Sequence, residues 1–231
     1  MIVIKCKICQ YKYEKLVKGS KWENMKYIDL SHEIKNNMPV YPGDIDVNLT
    51  KEKDFNKDGY NMYSLYTEMH AGTHIDSPLH MKDNKKFISE YPIEKFIGNV
   101  ALLDVRGEKI IELKDEYYKN IKENDIVILF TGWDNFYGKE EYYTKHPIVS
   151  MELAELLIKK KVKMVGMDMP SPDRNNYEIH NALFENDIFL LENLTNLNKL
   201  LYNEKIKLFA QPLKIESESS LVRAIASYEG Y

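Results

Sequence analysis

Apolar and polar residues alternate with a period of two near residues 26–30, 46–50 and 60–69, the pattern of half-buried strands. Three other runs are almost wholly apolar and bounded by polar residues: NVALLDV (99–105), DIVILF (125–130) and KMVGMDM (163–169). These read as short buried strands, and the last ends at the breaker Pro170-Ser171-Pro172. IFLLEN (188–193), IKLFAQPLKI (206–215) and LVRAIAS (221–227) extend the strand list. Helical spacing is clearest over 150–161. There Ser150 stands at a cap position, Leu153, Leu156 and Leu157 share a face, and Lys159-Lys160-Lys161 suits the negative end of the helix dipole. Shorter helices are predicted near 113–121 and 178–186. Strands interleaved with helices give a mixed α/β domain. No repeat, low-complexity stretch or linker interrupts the chain from residue 25 onward, so 25–231 reads as one domain.

Composition narrows the function classes. The 231 residues are 44% hydrophobic, enough to bury a sizeable core, and the net charge is −4. That balance argues against a nucleic-acid-binding protein. No apolar run approaches the roughly 18 residues of a membrane span, and the first residues, MIVIKCKICQYKYEKLVK, hold no apolar leader core. A cytoplasmic protein without membrane partners is the expectation. Cys6 and Cys9 are the only cysteines. They exclude a disulfide framework and supply one knuckle of a four-thiolate site whose second pair is missing. Residues 1–24 therefore read as a surface extension, and Met25 immediately precedes KYIDLSHEI, where the globular pattern begins. The extension is expected to be dispensable.

The chemistry is concentrated in His70-Ala71-Gly72-Thr73-His74-Ile75-Asp76-Ser77-Pro78-Leu79-His80, which carries three of the six histidines. Two histidines four apart suit one face of a helix, but Gly72, Thr73, Ile75 and Pro78 all disfavour a helix here. No Glu follows His70, so the helical zinc-protease pattern fails. A turn at Ala71-Gly72 feeding an extended segment fits better. In such a segment His74 and Asp76 point to the same side. Two imidazoles and one carboxylate suit a divalent metal and leave a position open for water, whose pKa on such an ion falls to about 7. His80, past the proline-shaped turn, is either a further ligand or a general acid/base. His180 and Glu192 are twelve residues apart and are candidates to join the cluster, with Glu178, Glu185 and Asp187 as competitors. His32 and His146 read as ordinary hydrogen-bonding residues, Trp133 and Phe136 as packing at a strand end, and Arg223 as structural.

The run HAGTHIDSPLH resembles the HxGTHxDxPxH signature of the cyclase family, metal-dependent hydrolases that include bacterial kynurenine formamidases and isatin hydrolases. YPGD (41–44) is similar to the family's WPGD element, and GMDMPSPD (166–173) to its strand and TPSxD turn. PLKIESESSLVRAIA (212–226) is similar to its PLKIEGxxxxPxRAxA ending, and His180 and Glu192 match its downstream His and Glu. The resemblance covers residues 26–227. It implies an α/β domain around a central barrel-like sheet, dimeric or larger. It implies a first metal on His70, His74 and Asp76, with Asp76 and Glu192 bridging to a second metal whose site His180 completes. The ions would be zinc, or manganese, which the same donors also suit. His80 becomes the catalytic acid/base. Tyr41 stands where kynurenine formamidases carry a substrate-contacting Trp.

The implied reaction is hydrolysis of an aryl amide, with N-formyl-L-kynurenine as the leading substrate and a cyclic amide such as isatin as the alternative. A non-catalytic metal-binding protein is the reading from another class. A free acid/base at His80 and a ligand set short of four closed donors speak against it. The glycines begin no GxSxG elbow, GxGxxG or P-loop, so serine-hydrolase, dinucleotide and nucleotide-triphosphate readings lack support.

Overall fold

Three apolar runs and the start of IFLLEN become four parallel strands side by side, β5 (Ile97–Asp104), β7 (Ile126–Phe130), β9 (Met164–Met167) and β10 (Phe189–Glu192). The structure is a computed structural model and describes residues 24–83 and 85–229. Cys6, Cys9 and nearly all of the N-terminal extension lie outside the described residues. Antiparallel wings continue the sheet on both sides. Beyond β5 come β11 (Lys207–Phe209), β13 (Ile225–Glu229) and β1 (Met25–Asp29). Beyond β10 come β4 (His74–Asp76) and β12 (Ser219–Leu221). The order in this nine-stranded sheet is β1-β13-β11-β5-β7-β9-β10-β4-β12.

Every residue of β7 is buried, because both faces of the sheet are covered. On one face Leu103, Val127, Leu129, Val165, Met167 and Leu190 pack against two helices, α4 (Met151–Lys159) and α5 (Glu178–Glu185). Ser150 caps α4, its side chain accepting from the Leu153 amide. On the other face Ile126, Ile128, Met164, Phe189 and Leu191 share one core with Ile28 near one end of the sheet and Ile75 near the other. A flat sheet could not bring those ends together, so the sheet curls into a half-barrel around its own second core. Backbone hydrogen bonds from Leu30 to Ala224 and from Thr195 to Leu30 close the seam.

The remaining elements are short. β6 (Ile110–Ile111) pairs with β8 (Ile148–Val149), and α2 (Tyr117–Asn120) and α3 (Glu140–Thr144) are single turns. β2 (Asn48–Lys53) and β3 (Met62–Tyr66), joined through α1 (Phe55–Asp58), form a separate hairpin. It leaves Tyr60, Met62, Tyr63, Leu65 and Tyr66 exposed.

Three sequence expectations need trimming. The strand at 206–215 ends at Phe209, because Pro212 has no N–H for a ladder and makes only a single bridge to Val222. The strand at 221–227 is two strands, β12 and β13, which pair with different neighbours. The helix at 113–121 is the one turn of α2.

Candidate metal centre

β4 is three residues long and wholly buried. Its period of two turns Ile75 into the second core and turns His74 and Asp76 to the opposite face, as the extended reading requires. Register fixes their neighbours. His74 lies opposite Glu192 on β10, and Asp76 lies opposite Ser219 on β12. The turn before β4 needs glycine: Gly72 has φ +65°, and a Cβ there would stand 2.8 Å from Met38 Cε. The Gly72 carbonyl accepts from His74 Nδ1 at 2.9 Å and from Asn193 Nδ2 at 2.9 Å. This leaves His74 Nε2 as the lone-pair nitrogen. It faces Asp76 Oδ1 at 3.4 Å and Glu192 Oε2 at 3.6 Å. Ser219 Oγ donates to Asp76 Oδ1 at 2.8 Å.

His180 arrives on the first turn of α5. The Asp173 carboxylate accepts from the Ile179 and His180 amides at 3.0 and 2.9 Å and from His180 Nδ1 at 2.7 Å. One carboxylate thus starts the helix and sets the imidazole tautomer. Its hydrogen bonds overcome burial and hold Asp173 below the usual carboxylate range. His180 Nε2 is left facing Glu192 Oε1 at 3.6 Å. His70 precedes the Gly72 turn, with Nδ1 3.1 Å from Asp76 Oδ1 and Nε2 3.3 Å from Glu218 Oε1.

The predicted residues therefore come together as two groups that share Asp76. One is His70, His74 and Asp76; the other is Asp76, His180 and Glu192. Within each group the donor atoms lie within 4.8 Å of one another. Donors on a tetrahedral zinc are roughly 3.4 Å apart, given bonds of about 2.0–2.1 Å. Contacts of 3.1 to 3.6 Å across the cluster fit that spacing. Of the buried side-chain atoms without a hydrogen-bond partner among the described residues, two belong to the cluster, His74 Nε2 and Glu192 Oε1. Such orphans are costly when nothing meets them, and a cation held by the two donor groups would meet both.

Charge tells the same story. Burial works against an ionised Asp76, but the His70 and His74 imidazoles draw it well below its usual range. Burial and the neighbouring Asp76 push Glu192 well above its own. Burial alone would lower His70, yet Asp76 and Glu218 overcome this and raise it to about 11. Without a metal the cluster gathers protons where carboxylates outnumber cations; with a metal, the ion replaces them.

His80 follows β4 on a 3-10 turn, Pro78–His80. Its ring lies 4.6 Å from that of His70 and 6.4 Å from that of His180, centroid to centroid. Burial, with His70 and His180 adding to it, lowers its pKa. Its side chain makes no hydrogen bond among the described residues, whereas the other three imidazoles are each tied at one nitrogen. The cluster forms the floor of a cavity of about 450 Å³. Tyr41, 46% exposed, lines it with Tyr137, Tyr143 and Tyr177, and Tyr41 and Tyr143 meet edge to face.

Trp133 and Phe136 do not line the cavity; they stack on each other at 4.5 Å on the turn that follows β7. His32 stacks on Tyr137, His146 faces the Pro147 carbonyl, and Arg223 pairs with Asp29; none of the three belongs to either donor group. Sequence reading missed Asp173 and Glu218 as partners of the imidazoles, and Arg174 as a cavity residue. An acid ahead of a predicted helix was a usable signal for Asp173. Glu218 becomes visible only through the register of β12 on β4.

The family model described as "Putative cyclase" matches residues 28–174. The chain belongs to the cyclase family. Among its cyclase relatives, a protein of Bacillus cytotoxicus named kynurenine formamidase is 29% identical over 217 residues, covering 90% of this chain and 98% of that one. A kynurenine formamidase of Erythrobacter litoralis is 29% identical, with 89% and 96% covered. Isatin hydrolase A from Labrenzia aggregata, bound to benzyl benzoate, superposes with a TM-score of 0.81 at 22% identity, covering 94% of this chain and 99% of that one. A structure described as a potential metal-dependent hydrolase with cyclase activity has a TM-score of 0.72 at 23% identity, with 90% and 100% covered. These TM-scores show that the chain has the same fold as these structures.

Proposed function

We propose that this cyclase-family protein is a metal-dependent hydrolase of carbon–nitrogen bonds that converts N-formyl-L-kynurenine to L-kynurenine and formate. The carrying observation is the buried pair of donor groups sharing Asp76, with orphaned His74 Nε2 and Glu192 Oε1, on the floor of a tyrosine-walled cavity. His70, His74 and Asp76 would hold one divalent ion, and Asp76, His180 and Glu192 a second, zinc or manganese by donor type. Such ions polarise a carbonyl and make water acidic enough to serve as a nucleophile near neutral pH.

The chain's own residues do the rest. Gly72 and Asp173 fix the tautomers of His74 and His180. Ser219 holds Asp76 in place. His80 is the one imidazole of the cluster whose side chain makes no hydrogen bond among the described residues, so it delivers a proton to the leaving aryl amine. Tyr41 offers an aromatic face to a planar aryl substrate. Arg174 lines the cavity as its one permanently cationic side chain, and it forms no ion pair among the described residues. A free guanidinium suits a substrate with a carboxylate. N-formyl-L-kynurenine has one, and the neutral cyclic amide isatin does not.

The reading includes a homodimeric or larger assembly in the cytoplasm. The exposed apolar hairpin β2–β3 supports assembly, since an isolated two-stranded ribbon is marginal in water. Among the described residues, no helix is long and apolar enough to cross a membrane. The direct test is hydrolysis of N-formyl-L-kynurenine by protein loaded separately with zinc and manganese. Turnover of about 1–1000 per second supports the reading. Metal bound without turnover sinks the formamidase, and turnover of isatin instead would put the cyclic amide in its place.

A further inference from the structure

Each imidazole with a donor atom in the two groups has its other nitrogen occupied, but not in the same sense. His74 and His180 are tied at Nδ1, to the Gly72 carbonyl and the Asp173 carboxylate, and turn Nε2 to the acidic cluster. His70 is reversed. Its Nδ1 faces Asp76 Oδ1 at 3.1 Å, and its Nε2 faces Glu218 Oε1 at 3.3 Å. Glu218 is itself held, since Ser217 Oγ donates to Oε2 at 2.6 Å. The backbone places it as well: the Ser77 amide donates to the Glu218 carbonyl at 2.9 Å.

We infer that Glu218 is a positioning residue that sets the tautomer of His70, so that His70 serves the metal through Nδ1 while His74 and His180 serve it through Nε2. An ionised carboxylate only accepts, so His70 Nε2 carries the hydrogen of this contact. In the metal-free cluster the Nδ1 contact with Asp76 Oδ1 is a hydrogen bond of the protonated ring; with Nε2–H held by Glu218, it is Nδ1 that gives up its proton when an ion binds beside Asp76. Glu218 thus does for His70 what Asp173 does for His180, and such outer partners orient ligands and raise their basicity. The same strand end supplies both supports, because Ser219, the next residue, holds Asp76. The donor atoms of His70, His80 and Glu218 also lie within 4.8 Å of one another, so the rival arrangement makes Glu218 a ligand. Against it, Glu218 is 38% exposed at its side chain and one of its oxygens is taken by Ser217.

The inference rests on the metal-centre reading, and its test does not require turnover. Zinc affinity of the full chain is measured by competition with a chelator, together with metal content and the visible spectrum of the cobalt-loaded protein. Glu218→Ala is expected to weaken zinc about 10–100-fold, keep the wild-type number of ions and alter the cobalt spectrum. Glu218→Gln retains a neutral acceptor, so it should lose less, and it serves as the readout if the alanine variant misfolds. An unchanged melting temperature of metal-free Glu218→Gln would separate positioning from a structural role. Wild-type affinity and spectrum in both variants would overturn the inference. Loss of a whole equivalent of metal would also overturn it, by making Glu218 a ligand. Failure of the wild-type protein to bind zinc or cobalt would instead remove the metal centre itself, and the inference with it.

Discussion

β7 and β4 lie in one sheet, both wholly buried, and they do opposite things with burial. β7 puts five apolar residues, Ile126–Phe130, into the two cores. Each such side chain contributes roughly 1.5–3 kcal/mol when taken from water. β4 buries one apolar residue and two ionisable ones. Removing a charge from water costs several kcal/mol unless partners meet it. The middle of the sheet thus supplies stability, while β4, next to the outermost strand, holds donor atoms in an arrangement that favours a cation. A short strand is enough there, one strand in from the edge, because β10 and β12 flank it and fix its register.

Substitutions should separate the two regions. The largest effect is expected at Asp76, the residue common to both donor groups. Asp76→Ala should cost at least about a thousandfold in turnover and strip metal from both groups, read by metal analysis beside the formamidase assay. His80→Ala should lower kcat about 10²–10⁴-fold with metal content intact; retained turnover would reassign His80 to structure. Leu129→Ala, in the middle of the sheet, should cost about 2–5 kcal/mol in urea unfolding of the metal-free protein and leave metal content unchanged. Arg174→Ala should raise KM for N-formyl-L-kynurenine about tenfold with little change in kcat, and leave N-formylaniline hydrolysis alone. Removal of residues 1–24 should change neither melting temperature nor turnover, and a fall in either would make the extension part of the fold.

The two regions also differed in how well the sequence announced them. The parallel strands were legible because strands covered on both faces must be apolar throughout, and β5, β7, β9 and β10 lie within or close to the expected runs. His74 and Asp76 were legible because glycine and proline excluded a helix and the period of two placed them together. The resemblance, rather than spacing, singled out His180 and Glu192 from nearby acids. Asp173 serves His180 from seven residues away, and Glu218 reaches His70 from 148 residues away. Long-range register set that second contact, and no local pattern records it. The split between β12 and β13 was hidden for a similar reason: LVRAIAS reads as continuous, yet its two ends pair with different strands.

The central claim is that the acidic and imidazole cluster on β4, β10 and α5 is a metal centre for amide hydrolysis. The most direct measurement is a zinc titration of chelator-stripped protein, with N-formyl-L-kynurenine hydrolysis followed at each addition. Turnover absent at the start, rising with added metal and levelling at a fixed small number of ions per chain is the predicted result. Turnover that is already full in the stripped protein, or still absent after the sites have filled, would contradict the account.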